Sequence, residues 1–75
     1  MNKVTVYTKK NCPQCMMTKE YMDALNIEYE VIDVTNDEEA REHVEELGFT
    51  SLPVVVVEDG EAWFGFRPDN IDLLK

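Results

Sequence analysis

Val4-Thr5-Val6-Tyr7-Thr8-Lys9-Lys10-Asn11-Cys12-Pro13-Gln14-Cys15 is the stretch on which the reading of this chain turns. Its first residues alternate apolar and polar, which predicts a strand over roughly 3–8. Pro13 suits the first turn of a helix, where its missing N–H is not needed. A strand therefore runs into a helix through a turn that carries both cysteines of the chain. Two thiols spaced C-x-x-C at such a turn can close a small disulfide and reopen it, the chemistry of a dithiol redox carrier.

The two thiols are not equivalent. The thiolate is the nucleophile, and an ordinary cysteine has a pKa of about 8.5. Cys12 falls where unpaired backbone N–H groups and the positive end of the helix dipole favour an anion. Lys9 and Lys10 add positive charge just upstream. These effects are expected to lower the Cys12 pKa, whereas Cys15 lies one turn deeper and is better protected. Cys12 is then the attacking residue and Cys15 the resolving one. Pro13 stiffens the loop between them, and Gln14 places a neutral polar side chain at its tip. The competing readings are two buried small apolar residues, or half of a zinc site. Zinc needs about four ligands, and only His43 could join. His43 sits on an acidic helix beside an apolar stripe, where a surface or packing role fits better.

Working outward, residues 13–25 read as helix, with Met16, Met17, Met22 and Leu25 among its apolar positions and Asn26 as its stop. Residues 28–34 hold a second strand with Tyr29, Val31 and Val34 as its apolar positions. Thr35 with Glu38, or Asn36 with Glu39, can form a capping box for a second helix. Its acidic first turn suits the helix dipole. Ala40, Val44 and Leu47 make its apolar stripe, and Gly48 stands where a C-terminal cap belongs. Val54-Val55-Val56-Val57 has no polar face, so it predicts a central strand buried on both sides. Asp59-Gly60 is a hairpin signal, and Ala62-Trp63-Phe64 returns as the antiparallel partner. Pro68 starts a short last helix carrying Ile71 and Leu74. The order is β-α-β-α-β-β-α.

Seventy-five residues are read as one domain spanning 1–75. A chain this short buries only about 60% of its unfolded surface, so its core is thin. No run of 18 apolar residues predicts a membrane helix. The N-terminus enters a strand at once, with no apolar leader, so a cytoplasmic location is expected. There a working disulfide is more plausible than a structural one. The first nineteen residues carry four lysines and no acid, while the rest holds all 16 acids against Arg41, Arg67 and Lys75. The cysteines thus occupy the one basic segment of a chain with net charge −9. No basic stripe with interleaved aromatics argues for nucleic-acid binding. Nothing demands a dimer, and a monomer is expected.

With these residues in place, the chain resembles the glutaredoxin branch of the thioredoxin-like superfamily over nearly its whole length. The likeness rests on Cys12-Pro13-Gln14-Cys15 after the first strand and on Thr50-Ser51-Leu52-Pro53 before the valine strand. It implies an α/β thioredoxin-like fold with a four-stranded mixed sheet and three helices. It also implies a cis Leu52–Pro53 bond facing the cysteines, with the backbone before Pro53 free to pair with an extended substrate. The segment Trp63-Phe64-Gly65-Phe66-Arg67-Pro68 is similar to the W-S-G-F-R-P segment of NrdH-redoxins, with departures at Phe64 and Pro13. That likeness implies a dithiol–disulfide oxidoreductase that passes electrons to class Ib ribonucleotide reductase. It would bind no cofactor of its own and use NADPH through thioredoxin reductase. The implied partner-binding residues are Lys9, Lys10, Pro13, Gln14, Leu52, Pro53, Trp63, Phe66 and Arg67.

Glutathione-dependent glutaredoxins carry an aromatic where this chain has Gln14, and a Gly-Gly pair whose second Gly is here Phe66. A bulky Phe66 is expected to obstruct the tripeptide, although Lys9 retains one contact. Trp63, Phe64 and Phe66 read first as core, or as an apolar docking patch if a part is exposed beside Pro53. Arg67 is expected to lock the turn before the last helix or to pair with an acid. The alternatives are a glutathione-dependent glutaredoxin and, from another class, a non-enzymatic thiol or iron–sulfur binding module.

Overall fold

A computed structural model describes residues 3–74. The elements are β1 (Val4–Thr8), α1 (Pro13–Ala24), β2 (Glu30–Asp33), α2 (Glu38–Glu46), β3 (Val54–Val57), β4 (Ala62–Phe64) and α3 (Pro68–Asp72). The sheet order is β2-β1-β3-β4, with β1 parallel to β2 and antiparallel to β3, and β4 antiparallel to β3. This is the thioredoxin-like arrangement expected from the sequence, in the expected element order.

The valine run explains the layering. Successive strand side chains point to opposite faces, so the run supplies both. Val55 and Val57 lie across from Val6 and Val4, and Val55 also faces Trp63. These residues pack with Met22 of α1 and Ile71 of α3 in one buried cluster. Val54 lies across from Tyr7 and joins Val34 and Val44 of α2 in a second cluster on the other face. Each fully buried Val or Ile is worth about 1.5–3 kcal/mol.

Helix α1 buries Cys15, Thr18 and Met22 along one face. The Thr18 hydroxyl is satisfied by donating to the Gln14 carbonyl at 2.9 Å. Met16 and Met17, read as apolar positions, are exposed instead. The helix is closed off just past its C-cap Leu25 by Asn26, whose φ is +59°. The N–H groups of Asn26 and Ile27 bond the Asp23 and Met22 carbonyls, a Schellman closure. A phenol clamp adds to the packing: the Tyr21 hydroxyl donates to Asp72 at 2.7 Å and joins α1 to α3.

Two expectations for α2 need correction. Neither Thr35 nor Asn36 caps it. Asp37 is the N-cap and accepts from the Ala40 N–H at 3.1 Å. The preceding residues are taken up by a turn, in which the Thr35 N–H bonds Asp33 and the Asp37 N–H bonds the Val34 carbonyl. Leu47 is exposed, because it is the C-cap residue. The apolar stripe passes instead to Phe49, whose N–H bonds the Val44 carbonyl as Gly48 closes the helix at φ +92°.

On the edge strand β2, Val31 is exposed while Ile32 packs into the α2-side cluster. The hairpin at Asp59-Gly60 forms as read, with Asp59 accepting from the Glu61 N–H at 2.9 Å. In β4 the alternation separates the two aromatics. Trp63 is buried in the α1/α3 cluster, and its indole Nε1 has no hydrogen-bond partner among the described residues. Phe64 points to the opposite face and stays exposed. Among the described residues, no helix is long and apolar enough to cross a membrane.

Candidate functional site

Cys12 is the N-cap residue of α1, with Pro13 at the first helical position. Asn11, at φ +56°, turns the chain into it from β1. Cys12 and Cys15 form a disulfide, with their Cα atoms 5.2 Å apart. The Cys15 N–H also donates to Cys12 Sγ at 3.2 Å. The Cys12 sulfur thus lies at the open N-terminus of α1. Cys12 is 6% exposed and Cys15 1%, so Cys12 is the sulfur that an incoming group can reach.

The cis Leu52–Pro53 bond lies against this sulfur. The Leu52 carbonyl oxygen is 3.9 Å from Cys12 Sγ. The Pro53 carbonyl accepts the Gly65 N–H at 2.8 Å. The loop before β3 is thereby tied to the turn after β4. Gln14 makes a parallel tie, its Oε1 accepting the Phe66 N–H at 3.3 Å. Its side chain is a brace across the site and not a free tip.

A cleft of about 440 Å³ opens over Cys12. Pro13 and Gln14 form one wall; Thr50, Ser51 and Leu52 form the other. Lys9, Asn11 and Phe64 complete it, and no acid lines it among the described residues. A second cleft of about 410 Å³ continues from Lys9 and Leu52 toward Arg41, Glu45 and Phe49.

The other sequence-identified residues separate. Lys10 is exposed and does not line the cleft; its backbone N–H bonds the Thr35 hydroxyl at 3.3 Å. Trp63 lies in the core, on the far face of β4. The Phe66 ring packs edge-on against Tyr21, with centroids 5.8 Å apart. The aromatic ring that lines the cleft over Cys12 belongs to Phe64. Arg67 stacks over that ring at 5.9 Å and makes no side-chain cap to α3. Asn11, Thr50 and Ser51 were not singled out as site residues, and Phe64 was named only together with Trp63 and Phe66, as core or as a docking patch. Strand parity would have found Phe64, since it must face away from a buried Trp63. Among the described residues, no group of three or more His, Cys, Asp or Glu gathers to hold a metal ion.

The arrangement can close and open a disulfide at the floor of an open cleft. Comparison with known proteins agrees with it. The glutaredoxin family model matches residues 4–63. The chain is 42% identical to the glutaredoxin-like protein NrdH of Escherichia coli K12, across 96% of this chain and 88% of that one. It is 35% identical to the Gene 56 protein of Mycobacterium phage D29, across 95% and 80%. Among solved structures it resembles the glutaredoxin-like NrdH-redoxin from Escherichia coli, described as having a thioredoxin-like activity profile. That match has a TM-score of 0.93 at 41% identity and covers 97% of this chain and 95% of that one. The thioredoxin-like protein BC3987 matches with a TM-score of 0.86 at 36% identity, over 96% and 99%.

Proposed function

The chain belongs to the glutaredoxin family of thiol–disulfide oxidoreductases, and on that premise we propose that it is a soluble electron carrier for class Ib ribonucleotide reductase, reloaded by thioredoxin reductase. The observation that carries the redox role is the Cys12–Cys15 disulfide at a helix N-terminus, with only the first sulfur reachable from an open cleft. The choice of reductase draws on the thioredoxin-like profile described for the Escherichia coli NrdH-redoxin and on the brace between Gln14 and the Phe66 N–H. The choice of client draws on the NrdH-redoxin-like segment from Trp63 to Pro68.

In the dithiol state, the Cys12 thiolate attacks one sulfur of the client disulfide. The client S–S bond breaks, and its second sulfur leaves as a thiolate that takes up a proton. Cys15 then loses its proton to solvent and attacks Cys12 Sγ. The mixed disulfide breaks, the remaining client thiolate is released, and the Cys12–Cys15 disulfide forms. The client gains two electrons and two protons, and this protein is oxidised by the same two electrons. Thioredoxin reductase, drawing on NADPH, returns the pair to the dithiol. Lys9 beside the cleft favours the approach of anionic client segments.

Two substitutions test the division of labour. Cys12→Ser abolishes reduction of a protein disulfide. Cys15→Ser accumulates a covalent adduct with the client, seen as a summed mass under non-reducing conditions. Retained turnover in Cys12→Ser would overturn the assignment of the nucleophile.

A further inference from the structure

A large aromatic left 45% exposed in the wall of a cleft over a redox centre calls for an occupant. Phe64 is such a residue. Its ring packs at a tilt against Phe49, with centroids 6.0 Å apart, and carries the Arg67 guanidinium at 5.9 Å on its face. These neighbours hold the ring from two sides, and the ring lines the cleft over Cys12. The cleft also departs from the charge of its surroundings. The chain has net charge −9, yet among the described residues the cleft holds Lys9 and no acid, and Arg67 stands at its aromatic wall.

We infer that Phe64 and Arg67 form a specificity platform that reads the residues beside the client's reacting cysteine: an apolar side chain against the Phe64 ring and an acidic side chain near Arg67 and Lys9. The occupant is an extended, disulfide-bearing peptide segment of an acidic client surface. Charge complementarity argues for it, because most of this protein's surface repels an acidic chain and the cleft attracts one. The inference rests on the disulfide-reducing role above and names the client sequence that role prefers. Burying one side chain against Phe64 favours the matching client by about tenfold, the scale of a single apolar contact in a pocket.

The test uses single-cysteine peptides activated as mixed disulfides with 5-thio-2-nitrobenzoate. Cys12 attacks the peptide sulfur, the coloured thiolate leaves, and Cys15 then frees the peptide thiol. Three peptides are compared on the reduced protein: acidic with Leu beside Cys, acidic with Gly beside Cys, and basic with Leu beside Cys. The expected second-order rates favour the acidic Leu peptide about tenfold over the Gly peptide. The basic Leu peptide is slower, by a margin that shrinks with added salt. Phe64→Ala brings the Leu-to-Gly ratio close to one, and Phe64→Leu restores part of it. Arg67→Ala narrows the acidic-to-basic ratio. Equal rates for the Leu and Gly peptides in the wild type, or a ratio that survives Phe64→Ala, would overturn the platform. Equal rates for acidic and basic peptides would overturn its charge component. Absence of colour with every peptide would instead contradict the disulfide-reducing role itself.

Discussion

Gly65 holds together the two ties that shape the cleft, and replacing it with Ala gives a graded prediction. Its N–H donates to the Pro53 carbonyl at 2.8 Å, and the next N–H, of Phe66, donates to Gln14. A Cβ built on Gly65 would meet Gln14 Oε1 at 3.5 Å, an ordinary contact, so crowding is not the obstacle. The obstacle is the backbone, whose φ is +83°. A non-glycine residue pays roughly 1–2 kcal/mol in that region. In a domain of this size each kcal/mol moves Tm by about 4–8 °C. Gly65→Ala should therefore lower Tm by about 4–16 °C, and Gly65→Asn by less, because Asn tolerates positive φ better. Thermal unfolding followed by circular dichroism reads both. The same variants should slow disulfide reduction, since the turn anchors the loop against Cys12. An unchanged Tm in Gly65→Ala would refute the backbone argument. Equal losses in Ala and Asn would shift the cause to side-chain contacts.

Two further outcomes follow from the core and the phenols. Trp63→Ala should cost about 3–5 kcal/mol, a large share of the stability of a domain this small, whereas Phe64→Ala should cost about 1 kcal/mol or less; urea titration checks the contrast, and similar losses would contradict the opposite facing of these neighbours. Burial and the hydrogen bond to Asp23 push the Tyr29 pKa up to about 12. The unfolded chain loses this proton near pH 10, so the stability it contributes is complete below pH 10 and disappears as pH rises toward 12. Tyr29→Phe should flatten the loss of stability across that window in alkaline denaturation, although Tyr7 and Tyr21, also raised, keep part of it.

Much of the fold was legible because its signals are local. The valine run, the Asp59-Gly60 turn and the glycine after α2 each specify a conformation through a few residues. The C-x-x-C turn was legible for the same reason. What escaped depends on which of several adequate residues wins. Thr35, Asn36 and Asp37 can all cap a helix, and the turn closed by Asp33 leaves the task to Asp37. Leu47 and Phe49 both fit the end of an apolar stripe, and the Schellman closure selects Phe49. The site was read in its sulfur chemistry but only partly in its walls. Gln14 was read only as a polar side chain at the loop tip, because its partner, Phe66, is 52 residues away. Trp63, Phe64 and Phe66 were read together, as core or as a docking patch, whereas the structure divides them: Trp63 is core, Phe66 packs on Tyr21 and Phe64 lines the cleft.

The most direct test of the account compares two reducing systems on the oxidised protein: NADPH with thioredoxin reductase, and NADPH with glutathione and glutathione reductase. NADPH oxidation at 340 nm should be fast with the first and slight with the second. Fast turnover with glutathione and little with thioredoxin reductase would contradict the account, and would mean that the brace between Gln14 and Phe66 leaves the cleft open to the tripeptide.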